Sequence, residues 1–181
     1  MAQANIPYHH VKMNEDVFYH WIHTPMIITT KNAGGADIDT DGKLLFASTG
    51  TEIAFTSFFI REDWNVGSSV EPHLRWSKTT DASGDVVWQI RHRHVITGEV
   101  PEAFGSWTDV TSRTGTVDAT QKIFVDHFPV VETTTTAAEE EIQIDIRRKH
   151  DDADDDYGAD AKLWSFSMHF QVFGPGVINE P

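Results

Sequence analysis

The chain has 181 residues and no cysteine, with Lys+Arg 14 against Asp+Glu 28 and a formal net charge of −14. This length suits one ordinary domain that buries a core of its own, and the missing thiols exclude disulfides and Cys-based zinc sites. The acidic balance argues against wrapping a nucleic-acid backbone, which calls for a basic patch.

Residues 1–23 read as an N-terminal arm. Its opening, MAQANIPYHHVKMNED, has neither the basic nor the apolar region of a secretory signal, so none is expected. No apolar run in the chain approaches the ~20 residues of a membrane span, so no membrane partner is expected either. Asn14 is placed to cap a short helix, with Val17, Phe18 and Trp21 on one face. His9, His10, His20 and His23 have no carboxylates around them to orient a ligand set, and read as surface or interface residues.

Residues 24–181 read as one β domain. Pro25 to Thr30 is a short β-rich run, and KNAGGADIDTDG is a turn region. Lys43 to Ser48 and Thr51 to Arg61 read as strands joined through Thr49-Gly50. From Phe58 to Ile60 both faces are apolar, which predicts burial between two layers. The stretch from Gly67 to Thr97 is central. Leu74 and Trp76 alternate with His73, Arg75 and Ser77, and Val86, Trp88 and Ile90 alternate with Gln89, Arg91 and Arg93. Alternation with period two marks half-buried strands, and the turn-rich connector TTDASGD predicts a β-hairpin.

Gly98 to Thr120 is a long polar stretch, either functional or hiding short strands. Ile123 to Val131 reads as a strand broken by Pro129. Ile142, Ile144 and Ile146 alternate with Gln143, Asp145 and Arg147, a further strand. After the acidic loop HDDADDDYGAD, Trp164, Phe166, Met168, Phe170 and Val172 are predicted inward, with Ser165, Ser167, His169 and Gln171 outward. GPGVINEP is a tail. Roughly eight strands with little helix predict an all-β sandwich, jelly roll or barrel. The jelly-roll-like sandwich with an N-terminal arm is the expected fold.

The candidate sites are few. His73 and His169 lie on polar strand faces and meet if their strands are neighbours. A metal needs three or four ligands and the sequence shows no third, so no metal is expected and a cross-strand hydrogen-bonded histidine is the plainer reading. His92 and His94 share a face with Trp88 and Ile90, which favours partial burial at a strand end over ligation. Asp152, Asp154 and Asp156 have D-x-D-x-D spacing within Asp151–Asp156. Tyr157 stands where an EF-hand loop needs Gly, and Leu163 where it needs Glu, so that motif fails. A looser calcium loop remains beside a solvated turn answered by Arg147, Arg148 and Lys149. Phe104 and Trp107 either stack on sugar or pack their own loop, the latter being favoured. No nucleophile elbow, P-loop, zinc-protease or dinucleotide motif is present. Paired carboxylates for glycoside hydrolysis are set by space and stay open. Neither an enzyme nor a cofactor is expected.

Several of these residues also carry a resemblance. Gly67, Ser68, Pro72, His73, Trp76, Gly84, Val86, Trp88, Arg148, Asp156, Tyr157, Asp160, Ala161, Leu163, His169 and Phe170 stand in the order seen in a family of small tailed-bacteriophage virion proteins. The chain resembles that family over its C-terminal two-thirds, and residues 1–40 carry no part of the resemblance. Arg75 departs from it, since the family often has a second His there. The resemblance implies a virion component that is often associated with tail fibres. The expected function is an outer capsid decoration (cement) protein that binds between subunits. It would be a homo-oligomer, with a trimer as first guess, and its partners would be the major capsid protein or tail proteins. The alternatives are a tail-fibre or receptor-binding head touching host glycans, and a free carbohydrate-binding or hydrolytic β-sandwich.

Overall fold

The computed structural model describes residues 11–14, 17–26, 29–30, 36–59, 70–96, 98–112, 122–129 and 141–173. Among these the regular elements are all strands, and every pairing is antiparallel. They are β1 (Val11–Asn14), β2 (Val17–Met26), β3 (Thr29–Thr30), β4 (Asp37–Ile38), β5 (Leu44–Phe46) and β6 (Ile53–Phe59). They continue as β7 (Val70–Lys78), β8 (Val86–Val95), β9 (Thr108–Ser112), β10 (Phe124–His127), β11 (Glu141–Arg148) and β12 (Ala161–Phe173).

Two sheets form. In the larger, the long β12 is central. One side of it pairs with β7, which pairs in turn with β10. Its other side pairs with β5 near its start and with β2 further on, and β4 and β1 lie beyond. The second sheet runs β3-β6-β11-β8-β9. From β5 onward the chain changes sheet at every connection except β8 to β9. The sets β5-β12-β7-β10 and β6-β11-β8-β9 are therefore the two interleaved four-strand sheets of a jelly roll. The expected all-β, jelly-roll sandwich is what the chain forms.

The core lies between the sheets. Ile142, Ile144 and Ile146 of β11 and Leu74 and Trp76 of β7 are fully buried, as their alternation predicts. Trp76 meets Trp88 edge-on across the interior at 5.9 Å between ring centroids, and Phe46 meets Trp88 at 5.1 Å. These T-shaped contacts are the arrangement that ring quadrupoles favour.

Four local expectations are corrected. The first is the hairpin: β7 and β8 are both strands, but β7 lies in the larger sheet and β8 in the smaller. Residues 79–85 turn a corner between layers, and the two Trp faces look at each other rather than sharing a sheet. Alternation fixes which face of a strand is apolar; it does not choose the strand's neighbour. The second is the short helix begun by Asn14. β1 and β2 stand there instead, with Asn14 opposite Val17 in the register. Val17, Phe18, Tyr19, Trp21 and Ile22 favour strand, a short helix is marginal alone, and β12 supplies an edge that β2 pairs from Tyr19 to Met26.

The third concerns β6. Ala54, Thr56 and Phe58 face the core, but Phe59 is 66 % exposed, so this end of the strand is not buried on both faces. The fourth is the phase of β12. Its register with β7 shifts between Leu163 and Ser165. Ala161 and Leu163 are buried before the bulge, and Phe166 and Met168 after it. Trp164, expected inward, is half-buried and donates from Nε1 to Ser77 Oγ at 2.8 Å. An extra residue in one strand resets the period-two count.

The long polar stretch contains β9, which pairs with β8. β10 stops short of Pro129, which has no N–H to give a ladder. The Phe128 N–H still donates to the Pro72 carbonyl at 3.0 Å. Gly67, Ser68, His9, His10 and the GPGVINEP tail lie outside the described residues.

Candidate functional site

The outer face of the larger sheet gathers Glu71, His73, His127 and His169. Glu71 and His73 are two apart on β7 and so share a face, opposite to Leu74 and Trp76. The registers place His127 of β10 across from His73, and His169 of β12 across from Glu71. His73 Nε2 lies 3.4 Å from Glu71 Oε2, and His127 Nδ1 lies 3.2 Å from Glu71 Oε1. The His73 ring is 4.0 Å from that of His127 and 3.9 Å from that of His169, centroid to centroid. The side chains grade outward, with His73 6 % exposed, Glu71 33 % and His127 55 %. Burial pushes the Glu71 carboxyl up, but hydrogen bonds with His127 and His73 and their charges outweigh it, and the group titrates below its usual value. One ligand atom from each of Glu71, His73 and His127 can be chosen so that all lie within 4.8 Å of one another. Among the described residues this is the group of that kind.

His73 and His169 thus meet, as the sequence allowed. The further donors, Glu71 and His127, were not singled out. The Glu-x-His spacing was a usable signal for Glu71. Nothing in the sequence announced that β10 would lie beside β7. His23 of β2 takes the register position across from His169.

His92 and His94 sit edge-to-face at 5.5 Å towards the end of β8. His94 is buried and His92 half-buried, the strand-end burial expected of them. Burial first, and His94 second, hold His92 below the ordinary histidine value, against a weaker opposing effect of Glu102.

Phe104 and Trp107 pack onto their own protein. The Arg91 guanidinium lies 4.8 Å from the Phe104 ring and 4.5 Å from Trp107. Arg93 covers Phe104 at 4.6 Å and Arg147 covers Trp107 at 4.2 Å. Below them Asp145, fully buried, accepts from Arg91 Nε at 3.0 Å and Nη2 at 2.8 Å. The segment is tied down by Gly105 N–H, which donates to the His92 carbonyl at 2.9 Å. It roofs part of the second sheet's outer face.

The acidic loop is a scaffold. Arg148 and Asp155 form a buried pair, 2 % and 1 % exposed, with Nη2 to Oδ1 at 2.5 Å. Arg148 also donates to the carbonyls of Ala159, at 2.6 Å, and Tyr157. Asp155 Oδ2 accepts from Val87 N–H at 3.0 Å, and Asp156 Oδ1 from Asp85 N–H at 2.5 Å. Lys149 Nζ holds Asp152 at 2.6 Å. The Tyr157 hydroxyl accepts from the backbone N–H groups of Thr79 and Thr80 at 3.1 and 2.9 Å. Of the carboxylates read for calcium, those of Asp152, Asp155 and Asp156 are thus engaged by Lys149, Arg148 and backbone donors, while Asp151 and Asp154 are exposed. Arg147, read as answering the loop, turns instead to Gln89 Oε1 at 2.5 Å. Gly84, Arg148, Asp156 and Tyr157 all lie at this one corner.

No family model matches the chain, and no curated protein does. Among solved structures it is similar to tripeptidyl peptidase 2, at 10% identity and TM-score 0.39 over 88% of this chain. The chain spans 10% of that peptidase's length. It is similar to the carbohydrate-binding module TmCBM61, solved with β-1,4-galactotriose, at 9% identity and TM-score 0.33, covering 82% of this chain and 86% of that one. A third likeness is to a chain of the infectious bursal disease virus Gx strain, at 11% identity and TM-score 0.35, covering 89% of this chain and 33% of that one. The fold assignment rests on the strand order above.

Proposed function

We propose that the chain is a structural component of a tailed-phage virion that works by binding between subunits, with an outer capsid decoration role placed first. The observation that carries this reading is where its apolar side chains escape burial. Among the described residues β10 and β4 are outermost strands of the larger sheet. Ile123 is 50 % exposed and Val125 on β10 is 44 % exposed. Ile38 on edge strand β4 and Phe59 at the end of β6 are each 66 % exposed. Edge strands offer unpaired backbone groups, and apolar side chains beside them suit contact with another protein surface. The residues of the family resemblance lend further support. The net charge of −14 keeps such a protein soluble before assembly.

The receptor-binding alternative is weakened by one feature: Phe104 and Trp107 already carry guanidinium groups, which a stacking sugar would have to displace. Imaging of intact particles, at a resolution that shows neighbours, tests the placement. Density bridging shell subunits is the expected result. Density at the tail tip would favour the receptor role, and turnover of host polysaccharide by the purified protein would favour the hydrolytic one. Light scattering on the purified chain tests the trimer.

A further inference from the structure

The geometry points to a divalent transition-metal site, of the zinc class, held by Glu71 through a carboxylate oxygen, His73 through Nε2 and His127 through Nδ1. Two imidazoles and one carboxylate are the donors that suit zinc and its first-row neighbours rather than calcium or magnesium, which take oxygen ligands. The spacing is near that of a filled site. Bonds of about 2.0–2.1 Å in a tetrahedral shell place ligand atoms about 3.3–3.4 Å apart. His73 Nε2 lies 3.4 Å from one Glu71 oxygen and His127 Nδ1 lies 3.2 Å from the other, and one ligand atom from each of the three falls within 4.8 Å of the other two, so a turn of the partly exposed Glu71 and His127 side chains closes the set around one ion.

The frame that carries them is rigid. Glu71 and His73 are two residues apart on one strand, and His127 is fixed opposite His73 by the β7–β10 ladder. The Phe128 N–H bond to the Pro72 carbonyl pins the chain beside it. His169 packs its ring at 3.9 Å on His73 and limits how that imidazole turns. It is a positioning residue, not one of the three ligands. The site opens outward on the side of His127, 55 % exposed, where a fourth position is left to water or to a group from a neighbouring molecule. The core-facing side chains of the same strands make the sandwich without these residues, so the cluster is not needed to close the core.

The test uses the full chain, stripped with chelator and titrated with Zn²⁺, and separately with Co²⁺, whose visible absorption intensity reports four-coordination. The expected result is saturable binding of one equivalent, a rise in melting temperature with Zn²⁺, and no such rise with Ca²⁺ or Mg²⁺. Glu71→Gln and His127→Ala are the decisive variants, since both side chains are partly exposed and the fold survives their loss. Each lowers affinity at least tenfold and abolishes the four-coordinate Co²⁺ spectrum. His169→Phe, which keeps a ring against His73, retains the stoichiometry and the spectrum. The assignment is overturned if no saturable equivalent is taken up. It is equally overturned if His127→Ala and Glu71→Gln bind as the parent does, because other histidines of the chain would then be responsible.

Discussion

Substituting Gly84 by alanine is the sharpest test of the corner between the two sheets. Gly84 has φ +128°, and a Cβ there would stand 2.7 Å from Tyr157 Cα, 2.8 Å from Tyr157 N and 2.9 Å from the Asp156 carbonyl carbon. All three are backbone atoms, so no side chain can swing away. The opposing segment is also held: Tyr157 N–H donates to the Asp85 carbonyl at 3.1 Å, and the Tyr157 hydroxyl is bound to residues 79 and 80. The disfavoured backbone costs roughly 1–3 kcal/mol and the overpacking roughly 1–3 kcal/mol more. At about 2–4 °C per kcal/mol for a chain of this size, Gly84→Ala should lower the melting temperature by roughly 4–24 °C. Near-ultraviolet circular dichroism follows the transition well, because Trp76 and Trp88 are fully buried. Gly50→Ala is the control, since Gly50 also has positive φ, +96°, but nothing lies within 4 Å of its Cβ position. If the two variants melt together, the close approach of Gly84 to Tyr157 is not a real constraint.

Arg148→Met should cost about 3–5 kcal/mol in denaturant unfolding, because it leaves the buried Asp155 carboxylate without its partner. Arg148→Lys should not restore this, since one ammonium cannot reproduce the forked contacts to Asp155, Ala159 and Tyr157; full rescue by Lys would contradict that geometry. For His92 the folded state holds the pKa below the ordinary 6.5, so the unfolded chain binds more protons as the solution is acidified. Its contribution is complete above about pH 6.5 and is lost as pH falls through the lower folded value. Melting temperatures of the parent and His92→Gln should therefore draw together, or cross, below that pH, and parallel curves would show that burial beside His94 and Glu102 has no such effect. Trp107→Ala removes the ring beneath Arg91 and Arg147 and should destabilise by about 1–2 kcal/mol; an unchanged midpoint would mean the stack is idle.

Much of the fold could be read from side-chain order alone. Ile142, Ile144 and Ile146, or Leu74 and Trp76, point to one side because the strand period is two, and that holds whatever the neighbours are. The same rule put His73 on the face opposite Leu74 and Trp76, and Glu71, two residues earlier and not singled out, shares that face. β10 stops before Pro129, a residue without an N–H to give a ladder. The count failed where a purely local feature interrupted it: one bulge at Leu163–Ser165 turned Trp164 off the core face it was assigned to.

Which strand lies beside which is a property of the whole chain. β7 and β8, close in sequence, sit in different sheets, while β7 and β10 pair across a longer separation, whose closure cost rises only slowly with length. The metal-competent cluster exists only through that pairing, since His127 meets Glu71 and His73 across a ladder that no sequence motif encodes. Side-chain order thus determined faces and the all-β class. Burial of the two tryptophan-bearing faces against each other decided the partners, because many pairings satisfy the alternation and only closure of both sheets covers the apolar area at once.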